Sequence, residues 1–392
     1  LEQIGALARF LGSYPSQECS VFTQCKQICE SLSVELLKTQ SRPIESSDEN
    51  SAQYGAYRLI RQQLASTLPV CVDLLQLCSF LDPDMSSSMF LLRAIRVLPA
   101  DSHLRGTVLR DGNEQQALTR LHALLQELSR FGLVHKSKCA HHKCSWRHQP
   151  ALDCLFSVHR LVASYAQSEM LGERPDVFNT FSTTVLQCLS SETQRLREGD
   201  LRCSDVDHLL RQFIHLCSLD RSILTRIIQS EAQQTLILLV RAIADIFYLT
   251  LRYEDGIKAL SKMKEIWPSH DQKFIQYGAV LLNIMMLFVT SENFDRGLVM
   301  YQEIEQICDF PQEEEVNQLL LDPLRDNLRL ELYAFVMYES FRALEYQRRF
   351  EQALKHLTLA LKIREVITPK IAHYGLLQCC LGDVYRKKNM SD

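Results

Sequence analysis

The chain has 392 residues, 46% of them hydrophobic, with only 13 Gly and 11 Pro. That is length for two or three domains and a composition that favours helices over a turn-rich β protein. A formal net charge of -4 gives no global attraction to nucleic acid or anionic membrane.

No run of 18 apolar residues occurs, and the N-terminus, Leu1-Glu2-Gln3-Ile4-Gly5, lacks the shape of a signal peptide. The 14 Cys are scattered through helical patterns (Cys71, Cys78, Cys188, Cys217, Cys308, Cys379 and Cys380) and read as small buried hydrophobes. A reducing, cytoplasmic location is the expectation.

Residues 1–39 predict two helices split by Ser13-Tyr14-Pro15-Ser16, with Ile4, Leu7, Ala8 and Leu11 at helical spacing. Residues 40–53 are polar and turn-rich, and predict a linker. Helices follow over 54–66 and 69–80, with Pro69 tolerated in a first turn. Asp82-Pro83-Asp84 breaks the pattern, and Ser86 to Ser88 cap a helix over Met89–Leu98. A loop is expected over 99–112. The next helix, Asn113–Phe131, carries Leu118, Leu121, Leu125 and Leu128 on one face and stops at Gly132.

Two β signals come next, Leu133–His135 and Cys154–Val158, joined by a long polar segment. Helices followed by a hairpin is the winged-helix order. The hairpin runs into a helix over Arg160–Met170. After Pro175 everything reads as helix: 177–194, 204–217, 220–230 and 232–251.

Repeats then appear. Tyr253 to Leu260, Phe294 to Tyr301 and Phe350 to Leu357 each place a small residue (Gly256, Gly297, Ala353) three positions after an aromatic. A larger residue follows four later (Leu260, Tyr301, Leu357), then an apolar one (Met263, Ile304, Ala360). This is the second-helix pattern of a tetratricopeptide repeat: the small residue lets helices cross closely and the larger ones fill the groove. Gly297 follows Gly256 by 41 residues and Ala353 follows Gly297 by 56, so an insert is expected around Asp309–Asn317. Leu381-Gly382-Asp383-Val384-Tyr385 resembles the first helix of a fourth repeat, and an array truncated at its C-terminus is the expectation.

Three segments carry a family resemblance. Leu1 to Ala6 resembles the helix that follows a Gly-x-Pro motif. Leu74 to Asp84, ending Phe-Leu-Asp-Pro-Asp, resembles a winged-helix segment. Phe156-Ser157-Val158-His159-Arg160-Leu161-Val162 resembles the counterpart of a Met-His-Asp motif. In this order they resemble the C-terminal part of an NB-ARC-type STAND protein, a nucleotide-dependent signalling switch, with tetratricopeptide repeats as its sensor.

The resemblance implies an all-α chain with a small β hairpin. Its parts would be the end of the NB-ARC helical subdomain (1–39), a linker (40–53), a winged helix (54–170), a helical connector (171–231) and a repeat array (232–392). It also implies that His159 contacts the β-phosphate of ADP. Arg160 stands where the Met-His-Asp form has its acid. No Gly here is followed by Lys, so no phosphate-binding loop is present and the chain itself is not expected to be an enzyme. ADP or ATP would be held by the parent protein. A protein or peptide ligand would sit on the concave face of the array, and homo-oligomerisation would follow activation.

His135, Cys139, His141, His142, Cys144 and His148 form the densest set of metal-ligating residues. Zinc accepts Cys and His in tetrahedral sets, although this spacing matches no familiar paired motif, and a polar hairpin tip is the alternative. Lys136, Lys138, Lys143 and Arg147 in the same segment raise a DNA contact as a rival, in a winged-helix transcription regulator. The helix Asn113–Phe131, with Arg120 and Arg130 as its only cations, argues against it. A nucleotide-independent repeat scaffold is the second rival.

Overall fold

The computed structural model describes residues 48–110, 113–137, 154–197, 203–231, 233–267, 274–308, 327–367 and 372–389, with positions 310 and 316. Among the described residues the protein is mostly helical with one small three-stranded sheet, which makes it all-α in class. It divides into two compact units, Leu1–Val185 and Leu186–Asp392.

In the first unit the helices are α1 (Asp48–Thr67), α2 (Pro69–Cys78), α3 (Ser88–Val97), α4 (His103–Val108), α5 (Glu114–Arg130) and α6 (Arg160–Glu173), followed by the start of α7 (Pro175–Arg197). The strands are β1 (Ser86–Ser87), β2 (Val134–Ser137) and β3 (Leu155–Val158). Helix α2 is apolar around nearly its whole circumference, from Val70 to Cys78, and only a central helix can bury such a surface. It packs against α1, α4, α5 and α6. Just beyond it, Phe80 meets Phe178 edge to face, with centroids 5.3 Å apart.

The sheet order is β1-β3-β2, all antiparallel, with Ser86 opposite Phe156 and Val134 opposite Val158. Along β3 the alternation is clean: Phe156 and Val158 are buried. The Ser88 hydroxyl ties three elements together. It accepts from the Cys154 backbone N–H at 3.0 Å and lies 3.1 Å from His122 Nε2 of α5.

Three sequence expectations need correction. Residues 48–53 belong to α1 and not to the linker. Polar residues pass for turn-formers in sequence, but acidic residue types are also favoured in the first turn of a helix. The stretch 99–112 is not all loop, because Ser102 caps α4 by accepting from the Arg105 N–H at 3.4 Å. The hairpin gains a third strand at Ser86–Ser87, although Ser87 also caps α3 as expected, accepting from Met89 and Phe90. Gly132 ends α5 with φ +69°, the left-handed geometry that a glycine stop supplies. Residues 1–47 and the expected insert around Asp309–Asn317 lie outside the described set, apart from Phe310 and Val316.

From Leu186 the second unit contains the rest of α7, then α8 (Cys203–Cys217), α9 (Arg221–Ile228), α10 (Gln233–Leu249), α11 (Tyr253–Ile266), α12 (Phe274–Thr290), α13 (Phe294–Cys308), α14 (Asn327–Tyr346), α15 (Phe350–Ile367) and α16 (Ala372–Asn389). From α10 onward each helix packs on its sequence neighbour, and α12 also packs on α10 and α14.

Three of the turns share one geometry. Leu251, Glu292 and Arg348 all have φ near +60°, and each sits two residues before the next helix. Each turn closes with the same pair of backbone bonds. At the first, Leu251 N–H reaches Tyr248 C=O and Arg252 N–H reaches Phe247 C=O. Glu292 and Asn293 reach Val289 and Phe288, and Arg348 and Arg349 reach Glu345 and Leu344.

The small residues after those turns lie where helices cross. A Cβ on Gly256 would come within 2.8 Å of both Phe247 and Leu287, and one on Gly297 within 2.8 Å of Val289. Ala353, the third of the series, is fully buried.

Among the cysteines, Cys71, Cys78, Cys188, Cys217 and Cys308 are buried as expected. Cys379 is exposed and Cys380 half-buried, against expectation. Burial pushes the Cys71 and Cys308 thiols up to about 11, which makes them inert at neutral pH.

Candidate functional site

Two of the three segments quoted for the resemblance, 74–84 and 156–162, meet in space; the third, Leu1 to Ala6, lies outside the described residues. Strand β3 ends where the Val158 N–H donates to the Pro83 carbonyl at 2.8 Å. His159 then turns the chain into α6 as its N-cap, with φ -61° and ψ 127°. Its carbonyl accepts from Ala163 N–H at 3.0 Å, which starts the helix. Its imidazole makes no capping bond and is exposed to solvent.

Arg160, the next residue, reaches back across the junction. Its Nε donates to Asp84 Oδ1 at 3.2 Å and its Nη2 to Asp84 Oδ2. This is the bidentate geometry a guanidinium offers a carboxylate. Asp84 raises the Arg160 pKa further above its ordinary value. The loop holding Asp84 is fixed in turn: its backbone N–H donates to Asp82 Oδ1 at 3.1 Å, and the Ser86 hydroxyl donates to the Asp82 carbonyl at 2.9 Å.

The arrangement leaves an imidazole at the N-terminal end of a 14-residue helix, where the helix dipole favours negative charge. An imidazole in that position can donate a hydrogen bond to a phosphate. The neighbouring guanidinium is committed to Asp84, so Arg160 acts as a clip between α6 and the Asp82–Asp84 loop. Sequence reasoning did not pair Arg160 with Asp84. The signal was an acid in one quoted motif and a base in the other, but they lie 76 residues apart.

Behind the junction, α6 is anchored to α1. Glu169, almost fully buried, takes an ion pair from Arg61 at 2.6 Å and a hydrogen bond from the Tyr57 hydroxyl at 3.2 Å. Burial and then the Glu169 charge push the Tyr57 phenol far up, so it remains a donor. Tyr165 packs edge-on against Tyr54, with centroids 5.1 Å apart.

Of the expected zinc ligands, His135 is exposed on β2, opposite Ser157. Cys139, His141, His142, Cys144 and His148 lie outside the described residues. Among the described residues no three His, Cys, Asp or Glu side chains gather in a way that could hold a metal. The basic residues Lys138, Lys143 and Arg147 also lie outside, and the Lys136 side chain is not described.

No family model, curated protein or solved structure matches the chain. Among the described residues no single helix is long and apolar enough to cross a membrane.

Proposed function

We propose that this chain is the C-terminal part of a nucleotide-gated signalling switch of the NB-ARC type. In this reading residues 54–170 form a winged helix and 232–392 a tetratricopeptide array. The array binds a protein or peptide, and the winged helix couples that event to exchange of ADP for ATP and to oligomerisation in the cytoplasm. A ligand drives such a switch only by binding the open state better than the closed one.

The observation that carries the reading is the junction at His159. Two of the three motifs of the resemblance meet there through Val158–Pro83 and Arg160–Asp84, and the imidazole is left exposed at a helix N-terminus. The element order α2, β1, α3, α5, β2, β3 with strand order β1-β3-β2 agrees with a winged helix. The recurring left-handed turns and helix crossings agree with tetratricopeptide repeats. A DNA-reading role draws less support. Arg120 of α5 donates to the Val108 carbonyl at 3.2 Å and Arg130 pairs with Glu127 at 2.7 Å, so both cations are engaged within the fold.

The test is the nucleotide content of the full-length protein purified in its resting state. Close to one ADP per chain is expected, released on denaturation, with His159→Ala shortening its retention. A resting protein that carries no nucleotide would remove the switch and leave a repeat scaffold that works without one.

A further inference from the structure

Helices α10, α12 and α14 each carry one least-buried stripe. On α10 it runs through the exposed Leu238, Arg241 and Tyr248, and on α14 through the half-buried Glu331, Phe335, Tyr338 and Arg342. On α12 it is Ala279, Leu282, Met286 and Thr290, spaced by three and four residues and so on one face of the helix. That face lies opposite the one turned to α13, where the Tyr277 hydroxyl reaches Glu303 and Arg296 stands over the Phe288 ring. No residue of α12 from Tyr277 to Val289 is exposed, so even the stripe is covered in part.

The cover comes from α10 and α14, which both pack on α12. The three matching turns set the level of each residue along its helix. Phe247, Phe288 and Leu344 accept the same backbone bond and stand level with one another. Counting back from them, Arg241 is level with Leu282 and Phe335 with Ala279. Met286 and Arg342 each stand two residues before that mark, and Tyr248 one after it. Across the stripe the Arg241 guanidinium lies 5.2 Å from the centre of the Phe335 ring. Seven residues further along each helix, about two turns, stand Tyr248 and Arg342. Burial lowers the Arg342 pKa, but Glu339, Tyr338 and Tyr248 raise it to a net rise, so Tyr248 lies within reach of its charge.

The first crossing is unequal. Arg364, buried on α15, lies 3.9 Å from the centre of the Phe335 ring, and Glu331 stands 3.8 Å from Arg364. Burial lowers the Arg364 pKa, Glu331 opposes that, and Arg241 adds to it by like-charge repulsion. Phe335 is therefore held with α14 and α15, and the exposed Arg241 is the half that can part. A cation–π contact at an exposed site shifts an equilibrium by only about two- to fivefold. The closed arrangement also leaves the Thr290 hydroxyl oxygen buried with no hydrogen-bond partner among the described residues, a cost that opening removes.

We propose that Arg241–Phe335 and Tyr248–Arg342 are the two rungs of a latch between α10 and α14, which closes the array over the apolar stripe of α12 and parts as one to expose it. A partner of the array meets Leu282 and Met286 only in the open form, so the latch lowers its apparent affinity by the open fraction. The latch regulates the partner-binding half of the proposed function and rests on that half, not on nucleotide.

The test is hydroxyl-radical footprinting of the whole 392-residue chain, with oxidation at Met285 and Met286 read separately by mass spectrometry. Met286 lies at the level of the second rung, and its neighbour Met285, fully buried, is the control. Arg241→Ala removes the first rung, about one turn away. Met286 is expected to oxidise about two- to fivefold faster, with Met285 unchanged. Arg241→Lys keeps a cation and should keep part of the protection. Arg241 is exposed, so the melting temperature of both variants should hold. An unchanged rate at Met286 would show that Arg241 covers its own level only. A joint rise at Met285 and Met286 would show loosened packing in place of a latch. Either result overturns the proposal. Neither touches ADP retention or the binding of a partner by the array, so failure of the latch and failure of the proposed function are told apart.

Discussion

At single residues the most telling positions are those where a side chain sits in a backbone state that suits glycine. Leu251, Glu292 and Arg348 hold φ of 58°, 62° and 60°. A left-handed residue with a Cβ costs about 1–2 kcal/mol relative to glycine. We therefore expect Leu251→Gly, Glu292→Gly and Arg348→Gly each to stabilise the chain by about 1 kcal/mol in urea unfolding. A loss of stability at all three would mean that the turns are not left-handed.

Gly256 predicts the reverse. Replacement by Ala gains about 1 kcal/mol of helix propensity, but overpacking costs about 1–3 kcal/mol. A methyl 2.8 Å from both the Phe247 ring and Leu287 meets the ring where it cannot easily give, so Gly256→Ala should destabilise by up to about 2 kcal/mol net. The same denaturation series reads it.

His356 gives a pH dependence. Burial pushes its pKa down to about 4, helped by Lys355 and Arg349, and its Nδ1 lies 2.6 Å from Ser340 Oγ. An unfolded histidine titrates near 6.5, so between about 6.5 and 4 the unfolded chain binds more protons than the folded one. Stability from this residue is complete above pH 6.5 and is lost as pH falls toward 4, by at most about 3 kcal/mol. His356→Leu should flatten that part of the stability-versus-pH curve; an unchanged slope would show that the ring is not held neutral.

At the scale of elements, α1 depends on one buried acid. Removing one partner of a buried charge network costs about 3–5 kcal/mol, because the other charge is left uncompensated. Glu169→Ala strands Arg61 and the Tyr57 hydroxyl, so it should destabilise the first unit by that amount. Tyr57→Phe should cost only about 1 kcal/mol.

Most helices were legible because their apolar spacing is local information: α2, α5 and α10 each reveal a buried face within one stretch of chain. The same holds for the small residues Gly256 and Gly297, each three positions after an aromatic in sequence and each closely approached by a neighbouring helix. The misses were short or non-local. Helix α4 has six residues and contains Gly106, too little for a periodic signal. Strand β1 is two serines that become a strand only by pairing with Leu155 and Phe156, some seventy residues later. At the candidate site the motif pointed to His159, which the structure places at the exposed start of α6, whereas the Arg160–Asp84 clip joins residues that no local pattern connects.

For the molecule as a whole, the described helices from α10 onward pack chiefly on helices one or two places away in the chain, a serial array of contacts. Stability in such an array is a sum of local terms and interfaces, and an element with one neighbour is held least. Among the described residues α16 packs chiefly on α15, through a cluster that includes Leu357, Leu361, Leu377 and Val384. Helix α14 packs on α12, α13 and α15. Amides of α16 should therefore exchange with deuterium at least about tenfold faster than those of α14. Equal protection would show that the array unfolds only as one block.

The clip between Arg160 and Asp84 has one more consequence. Both groups are well exposed, at 74% and 60% of their side-chain surface, so dissolved ions reach them directly. The distance over which charges act in water shrinks from about 10 Å at 0.1 M salt to about 3 Å at 1 M. The backbone bond from Val158 to Pro83 feels little of this. Ionic strength would loosen the start of α6 while leaving the end of β3 in place, and the orientation of the His159 ring would become a function of the buffer.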